Sequence, residues 1–272
     1  MKKILSNNNW WFYFILTYLI SWPIWVLGKV LLPGNLTIIT FIAGAFGPFI
    51  ASLIILKLTG GGSGVKEWFK TTFNFRINVI WYLLGGLLLP FLIAAVHHLI
   101  YMGFGGKSGI VLSPEWLIYF VYLMSTTLLT GGNEEPGWRG YITPVLMERF
   151  HPLIVCTIAG TGWAVWHLPM YFLEGWGGND QPFIWLIIYC IPLSMILTWL
   201  YYRSRRSIIP VMLLHAGTNV VFRYFPMETK VFDSVADEFT LIKTVVYLLF
   251  AIILLVVTKG SLGYKKSISD QE

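Results

Sequence analysis

Long apolar runs separated by short polar breaks recur along the whole chain. A spanning helix needs about 20 mostly apolar residues. On that criterion the pattern predicts helices near 10–31, 36–57, 78–102, 115–150, 152–173, 182–202, 207–225 and 240–258. The expected fold is all-α, a polytopic membrane protein of about eight transmembrane helices forming a single integral membrane domain over 1–272. Met1-Lys2-Lys3 leads into a first run too long and too bulky for a cleaved signal peptide, so that run is read as a retained span.

The fourth run departs from the pattern. From Glu115 to Phe150 no polar loop intervenes, yet a straight helix of that length would measure about 54 Å at 1.5 Å per residue. A bilayer core is only about 30 Å thick. Gly131-Gly132 and Pro136 mark where such a helix breaks, because proline removes an amide donor and disfavours helical geometry at the residue before it. Irregular backbone at membrane depth is tolerated where protein or a water-filled cavity receives its polar groups. The broken fourth helix therefore predicts a polar cavity, with helices 4–7 around it.

Composition agrees with a membrane protein. The chain is 56% hydrophobic and 12% charged, where a soluble domain carries about a quarter charged residues. With the N-terminus inside, 14 of the 19 Lys and Arg residues fall in cytoplasmic segments and 5 on the other side. The positive-inside rule then places both termini in the cytoplasm, and a bacterial plasma membrane suits that layout. The loop 59–77 holds a glycine-rich hinge followed by Val65-Lys66-Glu67-Trp68-Phe69-Lys70, read as an amphipathic surface helix with Trp68 and Phe69 in the headgroup layer. Cys156 and Cys190 lie in apolar runs and are read as small buried hydrophobes. The +6 net charge serves membrane topology; no basic, aromatic-interleaved segment suggests nucleic acid as a partner.

Against this apolar background the ionisable residues stand out. Glu134, Glu135 and Arg139 sit beside the predicted break, and ionisable groups at membrane depth mark functional sites by default. His167 ends the fifth run, and a tight turn near 150–152 makes the fourth and fifth runs antiparallel. Glu134 and His167 lie about equally far from that turn and so at similar depth. On the seventh run His215 and Asn219 are four residues apart and share one helix face. His97 and His98 are expected at the outer interface, and His151 in a structural turn.

Glu134-Glu135-x-x-x-Arg139, then Trp163-x-x-x-His167, then His215-x-x-x-Asn219, taken in order on separate runs, resembles the CAAX protease and bacteriocin-processing family of Abi-type intramembrane endopeptidases, which includes the Ras-converting prenyl protease. The resemblance covers roughly 115–225, taken as the catalytic core. The family more often has Phe where this chain has Trp163, read as an apolar packing position. The resemblance implies peptide hydrolysis without a metal: Glu134 as general base, His167 holding water and passing a proton, His215 and Asn219 donating to the oxyanion, and Glu135 with Arg139 in support. Spacing alone does not choose between Glu134 and Glu135 as base.

Other readings of the same residues differ in kind. Glu134, Glu135, His167 and His215 could ligate zinc in a metalloprotease, although no His-Glu-x-x-His pair occurs. A non-enzymatic immunity or scaffold protein would use them as a structural polar network. A transporter would use the broken helix, but no second one occurs in the other half. Expected partners are the lipid bilayer and a membrane-tethered peptide or protein substrate, whether CAAX-like, bacteriocin-like or another precursor, meeting a cavity open to the cytoplasmic side.

Overall fold

The structure, a computed structural model, describes residues 10–32, 34–107, 116–173, 182–232 and 237–265. Lys2, Lys3, Glu115 and Lys266, which the charge count and the fourth run used, lie outside the described residues. The described residues form helices and no strand. We number the helices α1 (Trp10–Leu31), α2 (Thr37–Ala45), α3 (Gly47–Thr72), α4 (Val79–Gly103), α5 (Trp116–Leu129), α6 (Pro152–Trp166), α7 (Ile184–Arg203), α8 (Ile209–Val220) and α9 (Glu238–Val257).

Six helical stretches are long and apolar enough to cross a membrane: Trp10–Leu31, Gly34–Thr72, Val79–Gly103, Pro152–Phe172, Ile184–Arg203 and Glu238–Val257. Their outer faces carry Leu19, Val30, Leu58, Val256 and Val257, all strongly exposed, as lipid-facing positions require. The expected fourth and seventh spans are absent from this set. α5 has 14 residues and gives way to short pieces: a 3-10 turn at Gly132–Glu134, a helical turn at Glu135–Gly137, a π-helical turn at Trp138–Ile142 and a further turn at Thr143–Met147. α8 has 12 residues and tightens into a 3-10 turn at Val221–Tyr224.

The glycine-rich hinge is present as a bend at Gly61, whose φ of 61° and ψ of −160° break the helical geometry inside α3, and helix follows it through Thr72. Two other expectations are corrected by packing. Trp68 does not rest in headgroups. It is buried, and its indole N–H donates to the Gly140 carbonyl at 2.9 Å, clamping the end of α3 onto the π-helical turn. His97 and His98 are buried rather than interfacial; His97 packs between Phe222 and Phe239, with Nε2 3.2 Å from the Phe239 carbonyl. His151 does serve a turn, accepting the Leu153 N–H at the start of α6.

The two ends of the bundle differ. At one end Trp10 meets Phe150, Tyr202 meets Tyr264, and the Ile208 N–H donates to the Thr72 carbonyl at 2.8 Å. This basic end gathers Arg76, Arg149, Arg203, Arg205, Arg206, Lys259 and Lys265. At the opposite end the Tyr101 hydroxyl donates to the Thr229 carbonyl at 2.7 Å, and the Glu228 N–H donates to the Lys107 carbonyl at 3.0 Å.

Gly137 shows how closely the middle pieces are held. A Cβ there would collide with the Pro48 backbone of α3 and come within 2.6 Å of the Tyr13 hydroxyl. Overpacking costs about 1–3 kcal/mol where neighbours cannot yield, and backbone cannot. Gly137→Ala is therefore expected to lower the thermal unfolding temperature in detergent by several degrees. An unchanged melting curve would show that the segment is not packed against α3 in this way.

Candidate active site

The buried acid cluster forms because consecutive residues in tight helical turns project in different directions, roughly 100° apart in an α-helix. Glu134 and Glu135 therefore face different neighbours. Glu135 is fully buried, and its Oε1 accepts from Arg139 Nη1 at 3.0 Å, one turn further along. The same oxygen lies 2.7 Å from His215 Nδ1 on α8. A carboxylate only accepts, so Nδ1 carries the hydrogen and Nε2 is the imidazole nitrogen left for other partners.

Glu134 turns toward a cavity of about 770 Å³. Its Oε2 accepts the Trp163 indole N–H at 2.8 Å, which leaves Oε1 for other partners. The Trp163 ring also carries the Arg139 guanidinium on its face, 4.7 Å from the centroid, and meets the His215 ring edge-on at 5.0 Å. Trp163 thus touches every charged member of the cluster except Glu135. One turn later, where α6 ends, His167 places Nδ1 2.9 Å from the Trp163 carbonyl. A carbonyl accepts, so here too Nε2 is the free nitrogen.

Glu134, His167, His215 and Asn219 all line this one cavity. Glu135 and Arg139 do not; they lie behind it. Gly131 has an extended φ of 171°, and its missing side chain matters for space. A Cβ there would sit 3.1 Å from Asn219 Nδ2 and 3.5 Å from His215 Nε2. The two nitrogens therefore point into one small region beside the Gly131 backbone.

Among the described residues no group of three or more His, Cys, Asp or Glu side chains is arranged to hold a metal ion. The reason is visible in the bonding: Glu135 is committed to Arg139 and His215 Nδ1, and Trp163 occupies one oxygen of Glu134. Of the four residues read as possible zinc ligands, Glu134, His167 and His215 line the cavity and Glu135 lies behind it.

Sequence reasoning missed two features. Trp163 is more than an apolar packing residue; its position one turn before His167, on the same face, was the available signal. The cavity also extends to Arg223 and Lys243, two of the five basic residues counted on the far side. Together with Leu186 and Phe239, near the starts of their helices, these residues carry it toward the end opposite the basic end. The cavity thus extends away from the end where Arg203, Arg205 and Arg206 cluster.

Residues 114–221 match a family described as type II CAAX prenyl endopeptidase Rce1-like. The chain is also similar to a protein called CAAX prenyl protease 2 from Methanococcus maripaludis, 25% identical over 246 residues that cover 82% of this chain and 88% of that one. The segment matched contains all three motifs, so the resemblance seen in them holds. Its apolar helices make this a multi-pass membrane protein, and the segment that carries the three motifs is similar to a membrane protease family.

Removing one partner of a buried ion pair costs about 3–5 kcal/mol, because the other charge is left buried without compensation. Arg139→Met is accordingly expected to lower thermal stability in detergent strongly, and the Glu135→Gln/Arg139→Met double variant to recover part of the loss. A single variant that melts with the wild type would show that the pair does not tie the cluster together.

Proposed function

We propose, for a chain whose residues 114–221 match a family of Rce1-like CAAX prenyl endopeptidases, that it is an intramembrane endopeptidase acting through a glutamate-activated water. The observation that carries this reading is the convergence of Glu134, His167, His215 and Asn219 on one cavity, with Glu135 and Arg139 withdrawn behind it. That division selects Glu134 as the base, since Glu135 is fully buried and its Oε1 is already shared by Arg139 and His215.

Glu134 Oε1 takes a proton from water held also by His167 Nε2, and the hydroxide adds to the peptide carbonyl. The oxyanion forms beside Gly131, where Asn219 Nδ2 donates to it. His215 donates from Nε2 as an imidazolium, with Glu135 as its carboxylate partner on Nδ1. His167 relays the proton to the departing amine as the C–N bond breaks. Trp163 orients the base by holding its other oxygen. No step calls for a metal, and the commitment of Glu135 to Arg139 and His215 supports that. The substrate is a membrane-associated peptide or protein.

Positioned general-base catalysis contributes about 10²–10⁴ in rate, and one oxyanion donor about 10²–10³. Glu134→Gln is expected to abolish cleavage and Asn219→Ala to reduce kcat by at least a hundredfold with intact folding. N-terminal sequencing of membrane peptides that accumulate with wild type but not with Glu134→Gln identifies the products. Identical peptide sets would refute a protease, and activity lost to a chelator and restored by zinc would refute the metal-free mechanism.

For orientation we propose that α5 with its continuation and α8 with its 3-10 turn complete eight crossings, and that the basic end faces the cytoplasm. The cavity then opens toward the opposite face. Single cysteines in a background lacking Cys156 and Cys190 test this on intact cells. Thr229→Cys is expected to react with a membrane-impermeant maleimide, and Arg205→Cys only after permeabilisation. The reverse pattern would invert the topology.

A further inference from the structure

Lys243 is a cation on a membrane-spanning helix with no role in the mechanism above. It stands on α9, and its side chain lines the same cavity as Glu134, His167, His215 and Asn219. Its Nζ lies over two aromatic faces, 4.1 Å from the Tyr189 centroid and 5.0 Å from that of Phe239. Among the described residues no carboxylate forms an ion pair with it. The two acids at the start of its own helix are spent on backbone. Asp237 Oδ1 accepts the Thr240 N–H at 2.8 Å, and Glu238 Oε1 accepts the N–H groups of Val231 and Phe232.

A lysine within a membrane helix is costly, and it persists where it faces a polar cavity and serves a function. Aromatic faces favour a cation but leave the ammonium donors without an acceptor. Arg223, over the Tyr122 ring at 4.6 Å, adds a second cation to the same cavity. Both are displaced outward by one turn from inner cavity groups: Arg223 follows Asn219 by four residues, and Lys243 precedes Tyr247 by four. One turn is about 5–6 Å, and an extended peptide advances about 3.3 Å per residue. A peptide whose carbonyl sits between Asn219 and His215 would thus bring a group about two residues away level with Arg223, and the cavity continues from there to Lys243.

We propose that Lys243, with Arg223 at the rim, is a specificity-determining subsite that binds a carboxylate of the peptide substrate within two or three residues of the bond cleaved. The inference rests on the proposed protease reading for its register, but binding tests it without cleavage. The carboxylate comes from a free C-terminus or from an Asp or Glu side chain, and the probes separate these sources.

The full chain carrying Glu134→Gln, in nanodiscs of zwitterionic phosphatidylcholine, is titrated with three fluorescent, N-palmitoylated nonapeptides of one Ala/Leu sequence. One ends in a free carboxylate, one in an amide, and one in an amide with Glu at the penultimate position. A carboxylate-bearing peptide is expected to bind at least tenfold more tightly than the plain amide. Adding Lys243→Met should shrink that ratio below threefold, and Lys243→Arg should keep it. Equal binding of all three peptides, including the case in which lipid phosphate fills the subsite, overturns the proposal, as does a preference that survives Lys243→Met. A preserved binding preference in a wild-type chain that cleaves nothing would refute the protease and leave the subsite standing.

Discussion

The arrangement depends on a single buried carboxylate oxygen, Glu135 Oε1, which meets Arg139 from its own segment and His215 from α8. Burying ionised groups costs several kcal/mol each, and the attraction between them offsets this only in good geometry with further hydrogen bonds. Here the geometry fixes more than one pair. Arg139 lies on the Trp163 ring, whose N–H holds Glu134, so the chain of contacts returns to the residue next to its origin. A shift of any member would strand a charge in an apolar bundle. That penalty keeps Glu134 and His215 in register although they come from different helices.

Three departures from α-helical geometry border the cavity: the interruption at Thr130–Gly131, the end of α6 at His167, and the 3-10 turn after α8. Each frees backbone groups that a lipid-facing helix could not leave unpaired, and each lies where irregular backbone is admissible, against protein or a polar cavity. Function and chain geometry coincide for this reason. Glycine at 131 and the helix end at 167 open the space that the side chains then occupy. The π-helical turn at Trp138–Ile142 does the converse, adding a residue per turn where Arg139 must reach inward.

Much of this was legible in the sequence, and the limits have physical causes. Apolar run length reveals membrane spans because lipid cannot satisfy a backbone, and carboxylates in such runs announce a site because they are costly there. Four-residue spacing places His215 with Asn219. Run length is blind to packing within the bundle, so Trp68 looked like a headgroup anchor when its N–H in fact reaches Gly140. For the same reason His97 and His98 looked interfacial. The count of spans was less legible than the architecture: α8 is too short to register as a span by length, and α5 stops halfway.

The charges at the two ends of the bundle do different work, although a sequence count treats them alike. Arg203, Arg205 and Arg206 cluster in one turn at the basic end, away from the cavity lining around Glu134. Lys243 and Arg223 lie at the other end and line the cavity, with their charges over aromatic faces. A cation needs no inward position to orient a helix, since a headgroup or water serves it better. Its inward placement favours a partner within the cavity. With Asp237 and Glu238 already bound to backbone amides, the proposed subsite takes that partner from the substrate.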